Sequence, residues 1–220
     1  MTGTLRIDAY FDFICPWCLI GKRQLERALA QLCASQPDVE VELAWHGVQL
    51  LPHLPAEGVP FVEFYRQRLG SAEAVRVRQG QVRQAAAAVD LSIDFSGIPT
   101  MPNTADAHRL LQRASELGSE AQRDALLERL LAAHFHLGEN LGDSATLLKI
   151  AESCGYPRAL LADCLEGARS PFDDNGMGAR GVPYFIFNRR QAVSGAQPAE
   201  VLVQCMQQAL AQMAAASQSA

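Results

Sequence analysis

Residues 5 to 13 alternate without a break, with Leu5, Ile7, Ala9, Phe11 and Phe13 on one face and Arg6, Asp8, Tyr10 and Asp12 on the other. A period of two marks a strand with one face in a core. Cys15-Pro16 ends the run, and Pro16 suits a first helical turn, where the N–H it lacks would have no partner. Leu25, Ala28, Leu29 and Leu32 then recur at three- and four-residue spacing, which predicts a helix. Pro37-Asp38 stops it, and Val39, Val41, Leu43 and Trp45 alternate with Glu40, Glu42, Ala44 and His46 in a second strand. The chain thus opens β-α-β, predicting parallel strands joined by a right-handed crossover.

From Pro52 to about Gly167 alternation gives way to Ala-, Leu- and Arg-rich segments with helical spacing. Asn103, with Asp106 three residues on, predicts an N-cap for a helix to Leu117 that Gly118 stops; Glu120 to Leu137 is a second helix, and Asp143 caps a third that ends at Gly155. Strands return at Val182–Phe187 and Arg190–Ser194. A closing helix follows from Pro198 to Ala214 with Val201, Met206 and Leu210 among its apolar positions, and the stretch from Ala214 to the end is expected to fray. No repeat or flexible linker interrupts the chain, so the helical middle is an insertion within one α/β domain.

Composition narrows the function. The 220 residues are 49% hydrophobic and 20% charged, which excludes a disordered chain. Nineteen Lys and Arg against 24 Asp and Glu, a net charge of -5, argue against a broadly basic nucleic-acid-binding face. Apolar stretches such as Ala125 to Ala133 are broken by Glu128 and Arg129, far short of the roughly 18 uncharged residues of a membrane span, so a soluble protein is predicted. The start, Met1-Thr-Gly-Thr-Leu-Arg-Ile-Asp, has no basic residue followed by an apolar run and cleavage site, which predicts the cytoplasm. Six scattered cysteines are too few for a secreted disulfide framework, and a disulfide in a reducing compartment is transient and catalytic.

Cys15-Pro16-Trp17-Cys18 lies where the first strand meets its helix. As half of a zinc site it would need two further ligands. Cys33, Cys154, Cys164 and Cys205 are isolated, and His134 and His136 project roughly 200° apart on a helix, so no metal is predicted. The unsatisfied N–H groups and positive dipole end of a helix start favour an anion, so the Cys15 sulfur is expected to ionise below the ordinary thiol value of about 8.5. Cys15 precedes the helix and is expected to face solvent. Cys18, one turn later, sits behind it, sheltered by Trp17 and Leu19. Attack therefore falls to Cys15, and Cys18 resolves the mixed disulfide. Neither Pro16 nor Trp17 carries a charge, which predicts a redox potential between those of strong reductants and strong oxidants.

Other residues have two readings. Asp12 either accepts the Cys18 proton or is a solvated or capping carboxylate on the polar face with Asp8. His46, at the end of the second strand, either tunes Cys15 or binds substrate, or is a satisfied loop histidine, the favoured reading. His108 either faces the dithiol across the insertion or serves structure alone. Cys33, Cys154, Cys164 and Cys205 are expected in the core. Arg66, Arg68, Arg76, Arg78 and Arg83 read as a solvated helix face rather than a seat for an acidic segment. Trp17 could line an apolar groove with Phe61, Phe64 and Tyr65, although the latter three fit core positions.

The segments Phe11-Asp-Phe-Ile-Cys-Pro-Trp-Cys-Leu-Ile-Gly-Lys22, Asn103-Thr-Ala-Asp-Ala-His108-Arg-Leu and Gly181-Val-Pro-Tyr-Phe-Ile-Phe187, with Val193-Ser-Gly-Ala-Gln-Pro198, resemble the DsbA-like thioredoxin-fold oxidoreductases of the FrnE type. The resemblance spans nearly the whole chain. It implies an α/β thioredoxin fold, residues 1–51 and 168–220, interrupted by a large all-helical insertion, residues 52–167. It also implies that Val182-Pro183 is a cis-proline turn opposite the C-x-x-C that holds substrate backbone; Trp17, read as an exposed aromatic between the two cysteines, is a further candidate for substrate binding. The implied activity is dithiol–disulfide exchange with protein or small-molecule thiols and disulfides. No cofactor is needed, glutathione is a candidate redox partner, nucleic acid and membrane are not partners, and monomer and homodimer both remain open.

Related glutathione-dependent 2-hydroxychromene-2-carboxylate isomerases and kappa-class glutathione transferases generally place a serine at the first active-site position. The second sulfur at Cys18 therefore favours redox exchange over that alternative, in which Ser194 and Gly195 would offer backbone contacts to glutathione. A third reading is a chaperone-like binder whose insertion grips unfolded segments. Some FrnE-type proteins carry a further C-x-x-x-x-C pair near the C-terminus; only Cys205 occurs in that part of this chain, so whether it or Cys33, Cys154 or Cys164 forms a second redox pair stays open.

Overall fold

A computed structural model describes residues 3–165, 171–174 and 176–218. The boundary expected at 167–168 and the last two residues of the terminal stretch lie outside the described residues. The chain divides into two compact units, one made of the residues up to Gly47 with those after Asp174, the other being Val48–Asp174.

In the first unit, β1 (Thr4–Phe11) leads into α1 (Pro16–Ser35) and β2 (Glu40–Gly47). β1 and β2 are parallel, paired from Thr4↔Glu40 to Phe11↔Gly47, as the β-α-β opening predicts. β1 stops two residues before Phe13 because the chain turns there: the Asp12 carbonyl accepts the Cys15 N–H at 3.1 Å.

The second unit opens on β3 (Val59–Pro60), α2 (Phe61–Leu69) and α3 (Ala72–Ala87), followed by β4 (Thr100–Met101). β3 and β4 pair antiparallel, a small sheet in a region expected to be purely helical, because two-residue strands carry no readable period. α4 (Ala105–Leu117), α5 (Glu120–Phe135) and α6 (Ser144–Ser153) follow. Thr104, not Asn103, is the N-cap of α4 and makes no side-chain cap, while Asn103 Oδ1 accepts the Ala105 N–H at 3.0 Å. Gly118 ends the helix in extended backbone, and its value lies in space, since a Cβ would collide with the Tyr156 hydroxyl. Ser119 and Gln122 form a capping box at α5. Leu110, Leu126, Leu127, Leu130 and Leu147 are fully buried, whereas the five expected surface arginines of α2 and α3 are exposed. Phe61 is buried; Phe64 and Tyr65 are only half-buried, not core.

The chain returns to the first unit with β5 (Tyr184–Phe187), β6 (Gln191–Ser194) and α7 (Ala199–Gln218). β5 runs antiparallel to β1 and to β6, giving the order β2-β1-β5-β6. Leu5, Ile7 and Ala9 of β1, Leu25, Ala28 and Leu32 of α1, Phe185 and Phe187 of β5, and Leu202, Met206 and Ala209 of α7 form one apolar core. Full burial of each Leu or Phe contributes roughly 1.5–3 kcal/mol. Val201, one of the apolar positions read for this helix, is 37% exposed, because the spacing of Leu202, Met206 and Ala209 turns it outward. α7 also continues beyond Ala214, where fraying was expected.

At the start of α6, Asp143 Oδ2 accepts the Thr146 N–H at 2.9 Å and its hydroxyl at 2.6 Å. These bonds hold the Asp143 carboxyl below the usual carboxylate range. A lowered folded-state value means the stabilisation is intact above the unfolded carboxyl range and is lost as pH falls through the folded one. Asp143→Ala is expected to cost about 1 kcal/mol in urea unfolding near pH 7, and the gap to wild type should narrow as the solution is acidified.

Candidate active site

Cys15 is the N-cap residue of α1, in extended backbone with φ -88 and ψ 108, and Pro16 follows at the first helical position. The Cys15 carbonyl accepts the Cys18 N–H at 2.9 Å, so the first turn brings the second cysteine behind the first. The Cys15 thiol points at the Val182 carbonyl, with Sγ 3.7 Å from the oxygen. The Val182–Pro183 peptide is cis, and the Pro183 carbonyl in turn accepts the Gly195 N–H at 2.8 Å. Cys15, Cys18, Val182, Pro183 and Gly195 are thus brought together through α1, the segment before β5 and the end of β6. Ser194 pairs with Tyr184 across β5 and β6 and is exposed; Trp17 is half-buried.

Cys15 was expected to face solvent, yet it is only 7% exposed against 3% for Cys18. Its direction toward Val182 explains the burial. Cys18 is held well above the ordinary thiol range, first by burial, then by hydrogen bonding with Cys15 and by the charges of Cys15 and Asp12. A backbone hydrogen bond at Asp12 works in the opposite direction.

Asp12 is 0% exposed, which corrects its placement on the polar face with Asp8. Strand parity fails there because the residue lies in the turn after β1. His46 lies on β2 opposite Tyr10 rather than in a loop. Its Nε2 is 2.9 Å from Asp8 Oδ1 and its ring stacks on Tyr10 at 4.7 Å, so its partners among the described residues do not include Cys15. The Tyr10 phenol is raised above its ordinary value, first by burial and then by the Asp8 charge. His108 belongs to α4 of the other unit, buried with its ring 5.1 Å from that of Phe172.

None of the four other cysteines is fully buried, although Cys205 packs against the core of the first unit. Cys33 is exposed, and Cys154, Cys164 and Cys205 are half-buried, all as free thiols. Burial and the Asp163 and Asp106 charges push Cys164 up to about 11. Among the described residues, no three His, Cys, Asp or Glu side chains gather as a metal site, and no helix is long and apolar enough to cross a membrane.

Sequence reasoning missed Gly21, where a Cβ would lie 2.8 Å from Pro183 Cγ and 3.4 Å from Phe185 Cζ. A glycine inside a helix, costing about 1 kcal/mol relative to alanine, was the available signal of a close approach.

The chain belongs to the DSBA-like thioredoxin domain family, whose profile matches residues 6–207. It is 27% identical over 163 residues, 74% of this chain and 72% of the relative, to the uncharacterized protein YwbO of Bacillus subtilis (strain 168). Its fold is similar to the probable DsbA oxidoreductase SCO1869 of Streptomyces coelicolor, with a TM-score of 0.79 at 27% identity over 93% of this chain and 89% of that one. A 2-hydroxychromene-2-carboxylate isomerase shares the fold at a TM-score of 0.65 and 16% identity, covering 95% of this chain and 98% of the other. The fold is the DsbA-like thioredoxin fold with a helical insertion.

Because the Pro183 ring has little room to yield, Gly21→Ala is expected to destabilise the protein by about 1–3 kcal/mol despite the better helix propensity of alanine. Thermal unfolding of the two proteins checks the sign.

Proposed function

We propose that this chain is a dithiol–disulfide oxidoreductase in which Cys15 is the nucleophile and Cys18 the resolving thiol. The observation that carries this reading is the site around Cys15: its sulfur stands at the start of α1, 3.7 Å from the carbonyl before the cis proline, with a buried, protonated thiol one turn behind. The thiolate of Cys15 attacks a substrate disulfide. The S–S bond breaks, one substrate sulfur leaves as thiolate and takes a proton from water, and the other stays bonded to Cys15. Cys18 then attacks Cys15, releasing the second substrate sulfur and leaving the protein disulfide; the substrate gains two electrons and the dithiol loses two. Reversing the steps oxidises a dithiol substrate.

Asp12 takes the Cys18 proton in this scheme. Its charge already acts on Cys18, and it is buried beside the pair. Trp17, Val182, Pro183, Ser194 and Gly195 form the substrate-binding rim, and the partners are thiols and disulfides of proteins or of small molecules such as glutathione. The isomerase fold is matched, but ionising a bound glutathione leaves a second sulfur without a role.

Insulin reduction is expected to fall to background in Cys15→Ser, while Cys18→Ser should accumulate a mixed disulfide on Cys15, visible by mass spectrometry. Glutathione-dependent isomerisation of a chromene carboxylate that survives Cys18→Ser, with no thiol exchange in the wild type, would instead establish the isomerase.

The proton transfer has its own signature. Passing a proton from Cys18 to Asp12 leaves the net proton count unchanged, so resolution of a preformed mixed disulfide should depend less steeply on pH than it does when the acceptor is removed. Asp12→Asn removes that route. The remaining thiolate must form by loss of a proton to water, and because burial keeps Cys18 above the ordinary range, its resolution rate should climb about tenfold per pH unit. Parallel profiles in both proteins would exclude Asp12 as the acceptor.

A further inference from the structure

Arg180 closes the short turn Met177–Arg180, two residues ahead of Val182, whose carbonyl faces Cys15. Its guanidinium lies 5.8 Å from the centroid of the Tyr184 ring, and Nη1 donates to the Tyr184 hydroxyl at 3.4 Å. Tyr184 stands opposite Tyr10 in the β1–β5 pair, with the rings 6.3 Å apart, and Tyr10 stacks on His46. The neighbouring carboxylate of Asp8 is already engaged by His46 Nε2 at 2.9 Å and Arg6 Nε at 3.8 Å. Arg180 is exposed and forms no ion pair among the described residues, in a chain whose net charge is -5.

A guanidinium has five N–H donors in a planar fork, and stacking on an aromatic ring orients that fork without neutralising it. The hydrogen bond to Tyr184 uses one donor. The remaining edge suits a carboxylate, which arginine takes in a bidentate pair. An extended peptide advances about 3.3 Å per residue, so one or two substrate residues beside a cysteine joined to Cys15 are long enough to cover the separation of Val182 and Arg180, which are two positions apart in the chain.

Resting on the dithiol reading above, we propose that Arg180 is a specificity residue selecting disulfides that bear a carboxylate within one or two residues of the attacked sulfur. The carboxylate belongs either to an acidic side chain of a polypeptide or to a small thiol such as glutathione.

Reduced protein is mixed with symmetric disulfides of N-acetylated, C-amidated Asp-Cys, Asn-Cys and Lys-Cys, and second-order rate constants for oxidation of the dithiol are measured at low and high salt. The Asp-to-Lys ratio in wild type is expected to exceed that of Arg180→Gln by about tenfold at low salt, and the excess should collapse in 1 M salt, where charges are screened within about 3 Å. Arg180→Glu should lower the ratio further, and Arg180→Lys should restore part of it. Comparing ratios within each variant removes the intrinsic reactivity of each peptide and any loss of active protein. An Asp-to-Lys ratio that is the same in wild type, Arg180→Gln and Arg180→Glu overturns the proposal. Failure of wild type to react even with the neutral Asn-Cys disulfide instead refutes the dithiol reading, and this proposal with it. Glutathione disulfide separates the sources: slowing in Arg180→Glu as large as for the Asp peptide supports the small thiol as a source, and slowing confined to the peptide supports the polypeptide.

Discussion

The contact between α1 and Pro183 governs the geometry of the site. α1 carries both sulfurs at its start, and Gly21 lets the next turn approach the proline ring to a distance that a side chain would forbid. Farther along, Leu25, Ala28 and Leu32 of the same helix lie in one core with Ile7, Ala9, Phe185 and Phe187. Interiors packed to crystal density transmit small displacements rather than absorbing them. The core that stabilises the first unit therefore also sets how far the Cys15 sulfur stands from the Val182 carbonyl.

Within that frame the two cysteines have different electrostatic settings. Cys18 is enclosed, so charging it means losing hydration, and a negative charge on Cys15 or Asp12 raises the cost further. Asp12 is buried and its charge acts on Cys18, so in the proposed scheme a proton passing from Cys18 to Asp12 would create charge on one as it removed it from the other, without drawing on bulk water. Cys15 sits at the helix end, where the backbone N–H groups of the first turn have no helical acceptors.

Much of this was legible in the residues themselves. The alternation of Leu5 to Phe11 marked a strand, the restart at Val39 marked its parallel neighbour, and Asp143 marked the start of α6. The Cys15-to-Cys18 spacing marked the candidate site, where the structure places Cys15 beside Val182. What stayed hidden has identifiable causes. Asp12 follows the strand's parity in sequence but not in space, because the chain has already turned. Cys33 adjoins buried Leu32, yet one step around a helix is a rotation of about 100°, and it emerges at the surface. α7 is rich in Ala and Gln, so few large side chains marked its inner face, and Val201 looked as eligible as Leu202. Val59–Pro60 and Thr100–Met101 are too short for any period to register. The approach of Pro183 to Gly21 joins positions far apart in sequence, which local spacing does not reveal.

The sheet of the first unit also divides its labour between faces. Leu5, Ile7 and Ala9 point into the core with α1 and α7, while the intervening Asp8 and Tyr10 lie on the opposite face with His46 and Tyr184. A strand with period two must place these sets on opposite sides, so polar chemistry on one face need not weaken the packing of the other. Tyr10 and Tyr184 are a cross-strand pair, and β5 begins immediately after Pro183. The polar face consequently ends beside the segment that meets Cys15. Arg180 on that segment lies against Tyr184 and precedes the cis proline by three residues, so on the proposed reading this end of the sheet would join recognition of charge to exchange of sulfur.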